Sequence, residues 1–297
     1  MQSQGKLYIV GIGPGDVELL TIKAVNALKE SEYVLGHKTY LERIKGLIEG
    51  KKIIESGMGR EVERVKLAVK LAEKSVVSLV SGGDPSIYGI LPLVVEFMLK
   101  KDLNIDYEVI PGVTALCAAS PLLGSPICGD HAVISLSDLL TPWKKIEKRL
   151  LHALKGDFVI AIYNPSSRRR RSNLIKAMEI VLNERGDVAV GIVKNAYRES
   201  CDVKIKRVSE IIENPEIVDM NTILFITNSE TLINKNKISF THANPPPPPG
   251  IVAYLISKIF KIPYIYSIHG LDYPNKGILN LDMKIVAKNA TVTFAKS

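Results

Sequence analysis

Cysteine is scarce in this chain and shows no pairing. Cys117, Cys128 and Cys201 are odd in number, far apart and without a CxxC spacing, so neither a disulfide framework nor a cysteine zinc site is indicated. A reducing cytoplasm is the expected compartment, with each thiol read as a small buried hydrophobe. Long apolar runs are missing as well: no stretch approaches the ~20 residues needed to cross a bilayer, and Met1–Lys6 opens no charged region followed by an apolar core. Neither export nor contact with a membrane is expected. His37, His131, His152, His242 and His269 show no i, i+4 pair and no ligand spacing, so no protein-held metal is expected. No Ser-His-Asp or Cys-His signature of a covalent catalyst is present either.

What is there is an ordinary globular composition. The 297 residues are 46% hydrophobic and 24% charged, which excludes a disordered or fibrous chain. Lys and Arg (39) exceed Asp and Glu (31), giving a formal charge of +8 that suits an anionic partner.

From Lys6 to about Ser120, short β-rich runs alternate with segments of helical period, the pattern of βαβ units and a mainly parallel sheet. The expected strands are Leu7–Val10, Tyr33–Leu35, Lys52–Glu55, Val76–Val80 and Tyr107–Ile110. Pro121–Pro126 reads as a hinge. Beyond it, Ala132–Leu136, Phe158–Tyr163, Asp187–Lys194, Val203–Val208 and Thr222–Thr227 read as strands. Too few residues separate the third and fourth of these for a crossover helix, so that pair is expected to be antiparallel and the second sheet mixed. The expected organisation is therefore α/β, with one domain over 1–122, a second over 123–234 and a proline-rich appendage over 235–297. In that appendage Pro245–Pro249 imposes polyproline II, followed by a helix at Ile251–Phe260, one strand at Pro263–Ile268 and a helix at Asn280–Lys288, too little to bury a core alone.

Three loops at expected strand ends carry small residues. The first strand runs into Gly11-Ile12-Gly13-Pro14-Gly15-Asp16, the fourth ends in Ser81-Gly82-Gly83-Asp84-Pro85, and the fifth in Ile110-Pro111-Gly112-Val113-Thr114-Ala115. In an open α/β sheet, ligands bind outside the carboxyl ends of strands, so the three loops are expected to face one crevice. The first loop is not the dinucleotide fingerprint, because Asp16 replaces the third glycine and Pro14 lacks an N–H. Asp84 suits sugar hydroxyls or, alternatively, the N-cap of a helix starting at Ser86.

These residues carry a resemblance. GIGPGD with LLTIKA (Gly11–Ala24), SGGDPSIYG (Ser81–Gly89) and VIPGVTALCAA (Val109–Ala119) are similar to the signature blocks of the tetrapyrrole methylases, S-adenosylmethionine-dependent enzymes of cobalamin and sirohaem synthesis. AVISLSDLLTPW (Ala132–Trp143), IAIYNPSSRRRR (Ile160–Arg171), VGIVKNAYRE (Val190–Glu199) and DMNTILFITNSET (Asp219–Thr231) resemble the branch that methylates C17 of precorrin-3B or cobalt-precorrin-3 with ring contraction. Where that branch has His-Asp-Phe, this chain reads Gly129-Asp130-His131. The resemblance implies a bilobal homodimer with its active site in the interdomain cleft and S-adenosylmethionine held there by Pro14, Gly82, Gly83, Asp84, Ile87, Thr114, Ala115, Asn164 and Ala196.

A carboxylate-rich tetrapyrrole also gives the positive surplus a partner. Arg60, Arg64 and Arg168 are substrate-binding candidates, and Asp130 and His131 are acid–base candidates for ring contraction. Any cobalt arrives inside the substrate, and the lack of an oxygen or redox motif favours the cobalt-first, anaerobic route.

Other readings are methylation at another ring position or of another substrate, a nucleotide- or nucleic-acid-binding regulator, and an NAD-dependent oxidoreductase. The missing third glycine argues against the last. Against nucleic acid, the Arg168–Arg171 run has no interleaved aromatics and no binding module is evident. The stretch from His242 to Asp272 resembles a fragment of the amino-terminal Rossmann domain of GT-B glycosyltransferases. It lacks the nucleotide-sugar domain, so it is expected to be an inactive appendage.

Overall fold

The computed structural model describes residues 5–57, 59–124, 126–167, 171–231, 233–234, 237–238, 242–243, 265–268 and 292–295. The chain divides into two compact units, Met1–Leu122 with Asp130–Asn228, and Leu123–Gly129 with Ser229–Ser297.

The first unit contains two five-stranded sheets. The amino-terminal lobe runs β1 (Lys6–Gly11), α1 (Ile22–Glu30), β2 (Tyr33–His37), α2 (Lys38–Arg43), β3 (Lys52–Ser56), α3 (Glu61–Ala72), β4 (Val76–Ser81), α4 (Leu91–Lys100) and β5 (Tyr107–Ile110). Its strand order is β3-β2-β4-β1-β5 and every pairing is parallel, so all five carboxyl ends lie on one edge. Alternation along β1 explains why both faces need cover. Leu7 and Ile9 join α3 and α4 in one buried cluster, while Tyr8 and Val10 join α1 and α2 in another. Thr21 caps α1 by accepting from the Ala24 N–H at 3.1 Å.

The helix α5 (Ala115–Leu123) follows, and it corrects the hinge expected at Pro121–Pro126, because Pro121 lies inside it. Pro121 offers no N–H to the Cys117 carbonyl one turn back, and the helix ends two residues further on. The second lobe then runs β6 (His131–Ser135), α6 (Trp143–Lys155), β7 (Val159–Tyr163), α7 (Arg171–Arg185), β8 (Ala189–Lys194), β9 (Asp202–Arg207), α8 (Val208–Glu213) and β10 (Thr222–Ile226). The sheet order is β6-β7-β10-β8-β9, with β6 and β7 parallel and the other pairs antiparallel, including the anticipated β8–β9 pair. Because β10 opposes both β7 and β8, those two strands share a direction and end on the same edge. All ten strands expected for the two lobes are present, with ends shifted by at most two residues.

In the second unit, β11 (Ile233–Asn234) and β12 (Lys237–Ile238) form an antiparallel pair, and β13 (His242–Ala243), β14 (Ile265–Ile268) and β15 (Val292–Ala295) form a three-stranded parallel sheet. The single strand expected here is β14. The other four, β11, β12, β13 and β15, are a correction, and β13 and β15 pair with β14 in parallel. Pro245–Pro249 and the helices expected at 251–260 and 280–288 lie outside the described residues.

Candidate functional site

Three loops meet at the carboxyl edge of the first sheet. Gly13 and Gly83 exchange backbone hydrogen bonds, Gly13 N to Gly83 O at 3.2 Å and Gly83 N to Gly13 O at 2.9 Å. Both have positive φ, +67° and +65°. A Cβ on Gly112 would stand 2.2 Å from Gly83 O and 2.8 Å from Gly11 C, so glycine there lets the β5 loop close against the other two.

No helix starts at Ser86, which corrects the capping alternative for Asp84, since α4 begins only at Leu91. The Asp84 carboxylate instead ties loops together. One oxygen accepts from the Ser86 N–H at 2.8 Å and from the Ser86 hydroxyl, and the other accepts from the Gly112 N–H at 3.0 Å. Burial alone would push this carboxyl up, but the bonds from Ser86 and Gly112 outweigh it and hold it below the usual carboxylate range.

The second lobe reaches this edge through side chains at its own strand ends. Tyr163, the last residue of β7, accepts from the Leu116 N–H at 2.7 Å and shares a 2.6 Å bond with the Thr114 hydroxyl. Burial pushes its phenol up. Tyr88 donates to Val133 O at 3.1 Å, with its ring centroid 5.3 Å from that of Tyr163. Arg198, beyond β8, donates through Nε to Pro14 O at 2.5 Å. Four non-glycine residues hold positive φ here: Tyr88 (+52°), Asn164 (+49°), Asn195 (+51°) and Tyr197 (+54°). Such backbone persists where the surroundings over-determine it, commonly at ligand sites.

The sequence candidates divide accordingly. Pro14, Gly82, Gly83, Asp84, Thr114 and Ala115 come together on the three loops, and Ile87 follows them with its side chain exposed. Asn164 donates to the Ser135 hydroxyl at 3.0 Å beside the β6 and β7 ends, and Ala196 lies buried past β8. Arg64 is buried, with Nε on the Ser56 hydroxyl (2.6 Å) and Nη2 on Gly57 O (3.2 Å), so it anchors the loop after β3. Arg60 is exposed beside Glu63, at 3.5 Å. Arg168 lies outside the described residues.

Asp130 and His131 are not brought to the site. They stand exposed at the start of β6, and Ser135, which meets Asn164, is at its other end, about 13 Å away at the rise of a strand. The cysteines also depart from expectation, for Cys117, Cys128 and Cys201 are exposed. Cys117 falls on the outward side of α5 and Cys201 in the β8–β9 turn, where no core is available to them. Tyr88, Tyr163 and Arg198 escaped the sequence reading. Tyr163 adjoins Asn164 in the Tyr-Asn-Pro block, but no local spacing reveals partners 47 residues back.

Comparison with known proteins places this geometry. The pattern of the family described as Tetrapyrrole (Corrin/Porphyrin) Methylases matches residues 6–211. The chain is 59% identical over 238 residues to the "Cobalamin biosynthesis protein CbiHC" of Archaeoglobus fulgidus, covering 80% of this chain and 52% of that protein. It is 44% identical over 238 residues to the "Probable cobalt-factor III C(17)-methyltransferase" of Methanocaldococcus jannaschii, covering 78% of this chain and 95% of the relative. The chain thus spans about half the length of the first relative and nearly all of the second. Among solved structures, "methyltransferase CobJ" aligns with a TM-score of 0.74 at 28% identity, over 79% of this chain and 99% of that one. A uroporphyrin-III C-methyl transferase from Thermus thermophilus complexed with S-adenyl homocysteine aligns with a TM-score of 0.59 at 27% identity, over 75% and 97%. With two α/β lobes meeting through strand-end loops and a family pattern running through both, this chain belongs to the tetrapyrrole methylases.

Proposed function

We propose that the chain is an S-adenosylmethionine-dependent methyltransferase that methylates C17 of a precorrin-3-type tetrapyrrole, as cobalt-factor III, with ring contraction in cobalamin biosynthesis. The observation that carries the reading is the match to a C17-methyltransferase along nearly its whole length, combined with a loop edge built for a ligand. The same resemblance supports a homodimer, and three cysteines without a pairing pattern suit a reducing cytoplasm.

The residues fit such a cofactor on a point of local geometry. On the Cβ side of Gly83 the nearest atom is Thr114 Cα at 3.8 Å, and Ile87, four residues on, is 41% exposed. The loop edge therefore combines backbone at Gly83 that no neighbour crowds with an exposed apolar side chain at Ile87, a surface that suits an adenosyl group. Pro14, Gly82, Gly83, Asp84, Thr114 and Ala115 are the residues that hold it in this reading, with Asn164 and Ala196 from the second lobe.

S-adenosylmethionine supplies, when bound, a methyl group already activated on sulfonium. The remaining task for the protein is alignment, which needs rigid walls rather than a nucleophilic side chain. Asp84 supplies rigidity by locking two loops, and Tyr163 by fixing Thr114 and the first turn of α5 to the second lobe. The positive surplus attracts the polycarboxylate substrate.

The test is anaerobic incubation with S-adenosylmethionine and cobalt-factor III, reading product mass and absorption spectrum. A gain of one methyl with the spectrum of a contracted ring is expected. Binding of both ligands without mass gain overturns the C17 reading.

A further inference from the structure

Arg43, at the end of α2, is half-buried, and its Nη1 is enclosed without a hydrogen-bond partner among the described residues. A buried donor left unpaired is costly, and a charged one more so. Its guanidinium carbon lies 5.6 Å from the centroid of the Tyr40 ring. That ring in turn backs onto Gly82, where an added Cβ would stand 2.9 Å from Tyr40 Cε1. Arg198 arrives from the second lobe. Its Nε is spent on Pro14 O and its stem lies along Gly15, where an added Cβ would be 2.8 Å from Arg198 Cγ, while its Nη atoms make no hydrogen bond among the described residues. No carboxylate of the described residues forms an ion pair with Arg43 or Arg198.

The two cations also feel each other. Burial first, and the nearby charge of Arg43 second, push the Arg198 guanidinium down to about 10. Two half-buried like charges without a counter-charge are destabilising by themselves, and such an arrangement is retained where an anion completes it. Arginine forks match a carboxylate in bidentate geometry.

We propose that Arg43, beside the Tyr40 ring, and Arg198 form a carboxylate receptor that joins the two lobes beside the β1 and β4 loops. The inference rests on the methyltransferase reading for the origin of the carboxylate, which is either a side chain of the tetrapyrrole or the amino-acid end of the cofactor.

Titrations of the full-length chain separate these sources. Cobalt-factor III is titrated by absorbance without S-adenosylmethionine, and S-adenosylhomocysteine by calorimetry, for the unaltered protein, Arg43→Gln, Arg43→Lys and Arg198→Lys. Arg43→Gln is expected to weaken one ligand by about tenfold or more, the scale of a charge-assisted hydrogen bond, and leave the other unchanged. Arg43→Lys loses less, and Tm of Arg43→Gln stays level or rises as repulsion is relieved. Selective loss of cobalt-factor III assigns the carboxylate to the tetrapyrrole, and selective loss of S-adenosylhomocysteine assigns it to the cofactor. Unchanged affinities overturn the proposal, as does an equal loss of both with a lowered Tm, since the arginines then only hold the lobes.

Because neither titration requires methyl transfer, the two readings fail separately. An unaltered protein that binds cobalt-factor III without methylating it sinks the C17 reading and leaves the receptor to be judged on the variants. An unaltered protein that binds neither ligand overturns both.

Discussion

A single phenol at the end of β7 serves the first turn of α5. The early N–H groups of a helix have no partner within it, and Tyr163 accepts from one of them, the Leu116 N–H, at 2.7 Å. It also meets the Thr114 hydroxyl at 2.6 Å. Removing the oxygen leaves the buried Leu116 N–H unpaired, whereas removing the Thr114 hydroxyl leaves that bond in place. Tyr163→Phe is therefore expected to lower unfolding free energy by about 1–3 kcal/mol, and Thr114→Val by less. Urea denaturation of both variants checks this, and a Tyr163→Phe protein as stable as Thr114→Val refutes the capping role. Nothing in the sequence around Tyr163 announces this bond, because its partners lie in the other lobe. The same holds for Arg198 and Pro14, 184 residues apart. Glycine loops are legible since their backbone demands are local, whereas contacts made across lobes are not.

At the scale of the element, the strands were the most legible feature. Short β-branched runs such as Tyr-Ile-Val and Ile-Ala-Ile, buried on both faces, leave little choice of structure. Helix boundaries near proline and aspartate were harder. Pro121 sits inside α5 two residues before its end, and Asp84 spends its carboxylate on Gly112 rather than on a helix start. The common ends of β1, β4 and β5 depend on backbone contact more than on side chains. A methyl added at Gly112 meets Gly83 O and Gly11 backbone, none of which can rotate aside. Gly112→Ala should therefore separate the loops, lowering Tm and weakening S-adenosylhomocysteine together. Gly46→Ala is the control, with no atom within 4 Å of its added Cβ and an effect within about 0.5 kcal/mol expected. Calorimetric titration and thermal unfolding of the pair decide the matter, and a Gly112→Ala chain that binds like the unaltered protein refutes the close-approach argument.

For the whole molecule, the question is how much chain the proposed reaction needs. The family pattern ends at residue 211, yet β10 at Thr222–Ile226 lies between β7 and β8 and bonds to both. A cut after Glu213 removes the strand on which two others depend. It exposes two edges and uncovers the core cluster that Leu224 and Ile226, both fully buried in the intact chain, complete. A cut after Asn234 keeps that strand, and the aligned length that covers 95% of the Methanocaldococcus jannaschii relative amounts to 78% of this chain. The shorter product should lose cooperative unfolding and remain insoluble. The 1–234 product should unfold in one transition and change kcat/KM by no more than about twofold. Activity that vanishes with residues 235–297 while the remaining chain stays folded would give that segment a part in catalysis, and the appendage reading would be wrong.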